Sequence, residues 1–161
     1  MNRVLLILGV VVFLLGSCKK SDSPVSAEED LRSGTWIHSS WKKTVKDPIT
    51  LGDSTVDYVL DDCSADNHLI FQTNFDGYID LGTVHCSTGE PSTQPFTWQI
   101  TNNEQHISLY HVADFFQADN VEAEIVTRTL GYLTLKYSVI TLNPLYNTSD
   151  TVIYTDVLRK L

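Results

Sequence analysis

The chain has 161 residues, 42% of them hydrophobic, and carries 20 Asp and Glu against 11 Lys and Arg for a formal net charge of −9. A field of that sign repels phosphates and anionic headgroups, which argues against nucleic acid and against electrostatic adsorption to membranes. Residues 31–161 amount to one domain's worth of sequence, enough to bury a core of its own.

In chain order the first element is an export signal. Arg3 gives a positive start, residues 4–15 are an apolar run interrupted only by Gly9, and small Gly16 and Ser17 lead into Cys18. An apolar helix needs about 20 residues to cross the hydrocarbon core, so this run is too short to be retained as a span. Leu15-Gly16-Ser17-Cys18 resembles the lipobox of bacterial lipoproteins. That resemblance implies a signal peptide over residues 1–17 and an acylated Cys18 as the mature N-terminus, with several acyl chains giving a permanent lipid anchor. Lys19-Lys20-Ser21-Asp22-Ser23-Pro24 has the composition of a solvated tether, here taken over residues 18–30. Its position behind the cysteine is similar to that in lipoproteins of the Bacteroidota. Lys19 in second mature place resembles outer-membrane sorting, with the periplasmic and the surface face both open. Loss of Arg3 with the leader takes the charge to −10, ten basic residues against twenty acidic ones.

Ser26-Ala27-Glu28-Glu29 has capping-box form, and Gly34 is placed to end the short helix it starts. Beyond it the period changes from that of a helix to that of strands. Residues 36–45 read as the first strand, closed by the breaker Asp47-Pro48. Residues 55–60 fit a helix or a strand equally well. Strands follow over residues 68–73 and 77–84, separated by Asn74-Phe75-Asp76-Gly77, in which Asp-Gly is the hairpin signal. Further strands run over residues 96–100, from Ile107 through Leu109, over residues 121–129, over residues 132–140 after a turn at Gly131, and over residues 151–158 after Asn143-Pro144. Eight antiparallel strands joined mostly by short turns predict an all-β fold, an up-and-down β-barrel with a short N-terminal helix, in preference to a sandwich. Cys63 and Cys86 are an even pair in an exported chain, which predicts a disulfide in preference to a metal site.

The element Gly34-Thr35-Trp36 after a short helix is similar to the Gly-x-Trp element of lipocalins. The order of early Trp, Cys63 before a strand, Asp-Gly, Cys86 and the Trp98 strand resembles the lipocalin-like lipoproteins of Bacteroidota. The resemblance implies an eight-stranded lipocalin-like barrel over residues 31–161, plugged at its closed end by Trp36. Arg159, just after the last strand, is the basic residue expected over that ring, with a cation–π contribution of about 0.5 to 2 kcal/mol. Alternation from Trp36 then takes His38 and Ser40 inward and Trp41 outward, so Trp36→Ala is expected to cost more stability than Trp41→Ala. Phe96, Trp98 and Ile100 would line the wall, and Leu133, Leu135, Tyr137, Val152 and Tyr154 would close it. Such a cup either fills with its own side chains or holds one small ligand. In the second case His38, Ser40, Trp98, Tyr137 and Tyr154 are the candidate ligand-binding residues, for a small apolar molecule.

Phe115-Phe116 fall in a loop over residues 113–120, where they would tuck beneath the loop, cap the mouth or meet a protein partner. His38, His68, His85, His106 and His111 are scattered over different strands, and Asp57, Asp61, Asp62 and Asp66 lack the spacing of a calcium loop, so no metal or other cofactor is expected. There is no nucleophile elbow and no phosphate loop, hence no expectation of catalysis. Asp53-Ser54-Thr55 and Asp150-Thr151-Val152 resemble the O-glycosylation sequon of exported Bacteroidota proteins. The resulting expectation is a monomeric, lipid-anchored outer-membrane binding protein for a small apolar ligand. The alternative is an envelope protein-interaction or hydrolase-inhibitor module with a filled barrel.

Overall fold

The computed structural model describes residues 25–46, 52–143 and 148–161. The leader, Cys18, the first part of the tether, the Asp47-Pro48 break and Pro144 lie outside them. The chain opens with helix α1 (Ala27–Arg32), where the Ser26 hydroxyl accepts from the Glu29 amide and three acidic residues sit in the first turn, as the positive end of a helix favours. Nine strands follow: β1 (Thr35–Lys46), β2 (Asp53–Asp57), β3 (His68–Phe71), β4 (Asp76–Asp80), β5 (Thr93–Thr101), β6 (His106–Tyr110), β7 (Asn120–Thr129), β8 (Tyr132–Asn143) and β9 (Thr148–Lys160). A one-turn helix α2 (Asp62–Ala65) precedes β3.

All pairings are antiparallel, and β1 pairs with both β3 and β9, so β1 and β3–β9 close an eight-stranded up-and-down barrel. The extra strand takes up the first half of the ambiguous stretch 55–60: β2 pairs with Lys42–Lys46, on the edge of β1 beyond the Thr35–Trp36 pairing with β3, and residues 58–60 are neither helix nor strand. Inward positions alternate as a half-buried sheet requires. Leu69, Phe71, Ile79, Phe96, Trp98, Ile107, Leu109, Ala123, Leu133, Leu135 and Leu158 are all buried in one core.

One end of the barrel is shut by α1. Ala27 and Leu31 are fully buried there, and the Trp36 indole Nε1 donates to the Leu31 carbonyl at 2.9 Å. The cation over Trp36 is Lys160 rather than Arg159: its Nζ stands 4.9 Å from the ring centroid and donates to Asp30 Oδ1 at 2.6 Å and Ser33 Oγ at 2.8 Å. The reason is phase. Lys160 continues the inward series of Tyr154, Asp156 and Leu158, whereas Arg159 falls on the outer side and is exposed. Gly34 is needed for space, since a Cβ there would meet the Lys160 stem at 2.5 Å.

Two other expectations are corrected by local backbone geometry. A β-bulge between His38 and Ser40 inserts one residue against β9, so the alternation slips: Ser40 points outward and is exposed, while Trp41 turns inward and is buried. The β3–β4 turn falls within the expected stretch from Asn74 to Gly77, but Asn74 and Phe75, both with positive φ, make it, while Asp76 and Gly77 already belong to β4. Gly77 lies inside β4, and a Cβ on it would collide with the ring of Phe96, its register partner on the adjacent β5.

Candidate functional site

The opposite end of the barrel carries the longer connections, residues 58–67, 81–92 and 111–119, and three ties hold them together. The first is the Cys63–Cys86 disulfide, with a Cα–Cα separation of 5.2 Å. The second is the Asp66 carboxylate, which accepts from the Thr83 and Val84 amides at 2.8 and 3.1 Å. Those amide bonds hold its carboxyl below the usual aspartate range. The third is Asn67, whose Nδ2 donates to the Asp114 carbonyl at 2.8 Å. The mouth is therefore a cross-braced lid.

Beneath the lid a layer of aromatic side chains occupies the cup. Phe115 and Phe116 fold inward from the third connection and are 3% and 0% exposed. Phe115 stacks on the His38 ring at 4.0 Å, Phe116 meets Tyr137 edge-on at 5.6 Å, and Trp41 and Tyr154 complete the layer, with Tyr137 and Tyr154 stacked at 5.3 Å. Of the five expected ligand-binding residues, His38, Tyr137 and Tyr154 are thus gathered, but onto one another and onto the two phenylalanines. Ser40 is outside, and Trp98 lies beside the β3–β4 turn near the closed end, donating from Nε1 to the Asp76 carbonyl and packing on Phe71 and Phe75.

The polar centre of this layer is a buried pair missed by the sequence reading. His38 Nδ1 lies 2.9 Å from Asp156 Oδ1, with side-chain exposures of 3% and 0%, and His38 Nε2 lies 2.9 Å from the Phe115 carbonyl. A carbonyl can only accept, so the proton on Nε2 is fixed, and the contact on the other side requires one more proton between Nδ1 and the carboxyl. Burial pushes the Asp156 carboxyl up, with His38 opposing that shift. Burial likewise raises the Tyr137 hydroxyl, helped by the negative charge of Asp156. Tyr137 Oη, Trp41 Nε1 and Asp156 Oδ2 have no partner in hydrogen-bond geometry; Tyr137 Oη approaches Trp41 and the Gln117 backbone without closing a bond. Both imidazole nitrogens are engaged, so His38 offers a substrate no free lone pair and instead pins the Phe115 loop in the cup. The available signal was Asp156 itself, an acid in the apolar phase of β9.

Between the lid connections a half-enclosed pocket of about 110 Å³ remains. Its apolar side is Trp41, Leu60, Leu81 and Phe115; its polar side is Ser64, Asn67, Glu90, Asp114 and Gln117, with the disulfide on the wall. Burial and the neighbouring Glu90 charge push the Asp114 carboxyl up. Of the other histidines, His68 faces Asp80 at 4.0 Å, His85 faces Glu90, a residue of this pocket, at 3.8 Å, and His111 faces Asp119 at 3.5 Å. Asp61 lies close to Cys63 and Cys86, but the two sulfurs bind each other and are not available as metal ligands. No family model, no curated protein and no solved structure matches this chain.

Proposed function

We propose that the protein is a lipid-anchored envelope protein of lipocalin-like design that recognises another molecule at the open end of its barrel and performs no chemistry on it. The anchor is Cys18, and the membrane is the outer one. The observation that carries the reading is the inward placement of Phe115 and Phe116, which occupy the volume that a small apolar ligand in the cup would need. A filled barrel is a rigid support, and three braced connections at one end are where such a support presents variable contacts. The engagement of both His38 nitrogens supports a recognition rather than a catalytic role.

The test is site-specific photocrosslinking in cells. A photoreactive residue at exposed Gln117, on the mouth, is expected to give a discrete adduct, and one at exposed Glu122, on the barrel wall, is not. Equal adducts from both positions would overturn the reading. So would native mass spectrometry showing a lipid or pigment retained inside the purified barrel. Lipid labelling lost in Cys18→Ser is expected to accompany release from the membrane.

A further inference from the structure

The mouth pocket is lined by hydrogen-bond acceptors, and the basic group beside them, His85, stands outside the lining with its Nδ1 3.8 Å from Glu90 Oε2. Asn67 is 3% exposed; its Nδ2 is held by the Asp114 carbonyl, and its Oδ1 is buried with no partner. An amide oxygen stranded in this way costs stability unless something donates to it. Glu90 is fixed by the Cys86 and Ser87 amides, which donate to its Oε2 at 2.8 and 3.4 Å, leaving Oε1 for another contact. Asp114 lines the same pocket, and the neighbouring Glu90 charge disfavours ionisation of its carboxyl. Among the described residues that line it there is no Lys, Arg or His. On the other side the buried Trp41 and Phe115 rings supply an apolar and π-rich wall.

We propose that this pocket is a binding site for a primary ammonium group on an alkyl chain, held by Asn67 Oδ1, Glu90 and Asp114 with its methylenes against Trp41 and Phe115. An ammonium has three N–H donors and no acceptor, which is the complement of three acceptor groups that line one pocket. It also relieves the repulsion between the carboxylates, and aromatic faces attract it further. A bare metal ion uses the oxygens but leaves the apolar wall without a role. The volume suits the end of a chain, either a free amine or a lysine side chain of a partner protein. The inference rests on the reading of the mouth as the recognition surface and names the chemistry it takes.

The experiment is a titration of the full chain in detergent, labelled with nitrogen-15, following the Asn67 side-chain amide. The probes are n-butylammonium, the neutral isostere n-butanol, calcium chloride and an N-acetylated, C-amidated Gly-Lys-Gly peptide. Either amine probe is expected to shift the Asn67 signals saturably, with a Kd of about 1 mM as befits a small fragment. n-Butanol is expected to leave them in place. Asp114→Asn, which keeps the backbone carbonyl that Asn67 uses, is expected to weaken the amine by about tenfold or more. An effect of the peptide alone assigns the site to a partner's lysine, and an equal effect of both leaves free amines competent; each supports the proposal. An equal response to n-butanol, a stronger response to calcium than to either amine, unchanged affinity in Asp114→Asn, or no response to either amine overturns it. If mouth crosslinks persist while the amines fail, the ligand class alone is wrong; if the crosslinks fail as well, the mouth is not the recognition surface.

Discussion

Replacing Lys160 by Met keeps a long apolar stem beside Gly34 but removes the charge at the closed end of the barrel. In the native protein that charge meets Asp30 at 2.6 Å, Ser33 at 2.8 Å and the Trp36 ring at 4.9 Å. The Lys160 and Asp30 side chains are only 15% and 8% exposed, so the carboxylate left behind has little water to turn to. Breaking a buried pair from one side costs about 3 to 5 kcal/mol, and the lost cation–π contact adds about 0.5 to 2 kcal/mol. Residual exposure and relaxation place the expected loss near the low end, about 3 kcal/mol, or about 6 to 12 °C in Tm for a domain of this size. Urea unfolding followed by tryptophan fluorescence reads it directly, because Trp36 lies under the lysine. Asp30→Asn combined with Lys160→Met is expected to recover more than half of the loss, since the stranded charge is then gone. Arg159→Ala, on the outer face, is expected to change stability by less than about 0.5 kcal/mol. The assignment of the plug is refuted if Lys160→Met unfolds with wild-type stability or if Arg159→Ala costs as much.

The remaining predictions concern the mouth and the buried pair. Joint replacement of Cys63 and Cys86 by Ser opens a loop with a sequence separation of 23 and is expected to cost about 3 kcal/mol in loop-closure entropy, read as a lower urea midpoint that reductant reproduces in the wild type. Asp156→Ala strands His38 and is expected to cost about 3 kcal/mol or more, whereas Asp156→Asn, whose amide can donate to Nδ1, is expected to cost about 1 kcal/mol. Because burial raises the Asp156 carboxyl, its protonated form favours the fold. That contribution is complete below the ordinary value of 3.8 and fades as pH rises through the raised one, a slope that Asp156→Asn should lack in urea midpoints against pH. Asp66 has the opposite sign: its lowered carboxyl supports the fold above 3.8 and loses that support as pH falls through the depressed value, so Asp66→Asn should flatten the acid limb of the same profile.

Much of the barrel was legible because a strand with one buried face repeats every second residue. Leu133, Leu135 and Tyr137 on β8, and Val152, Tyr154 and Leu158 on β9, are inward as their spacing predicts. The same rule, extended by one step, names Asp156 and Lys160 as inward residues; a signature drawn from position alone selected Arg159 instead. Where the rule failed, the cause was a backbone irregularity. One extra residue at Ser39 exchanges the sides of Ser40 and Trp41, so both Trp36 and Trp41 are core residues, and no polarity pattern in the sequence marks the slip. Asp76-Gly77 carried the chemistry of a turn, yet Gly77 is there because Phe96 leaves no room for a Cβ.

The sequence by itself determined the all-β class, the phases of strands without a bulge, the even cysteine pair and the acidity, since each depends on local spacing, composition or count. Only the tertiary structure decided that Phe115 and Phe116 turn into the cup, that His38 pairs with Asp156, and that Asn67, Glu90 and Asp114 share one pocket. Those contacts join residues far apart in the chain, on strands that meet only when the barrel closes or in loops that meet only when the mouth is braced, and neither leaves a periodic signal.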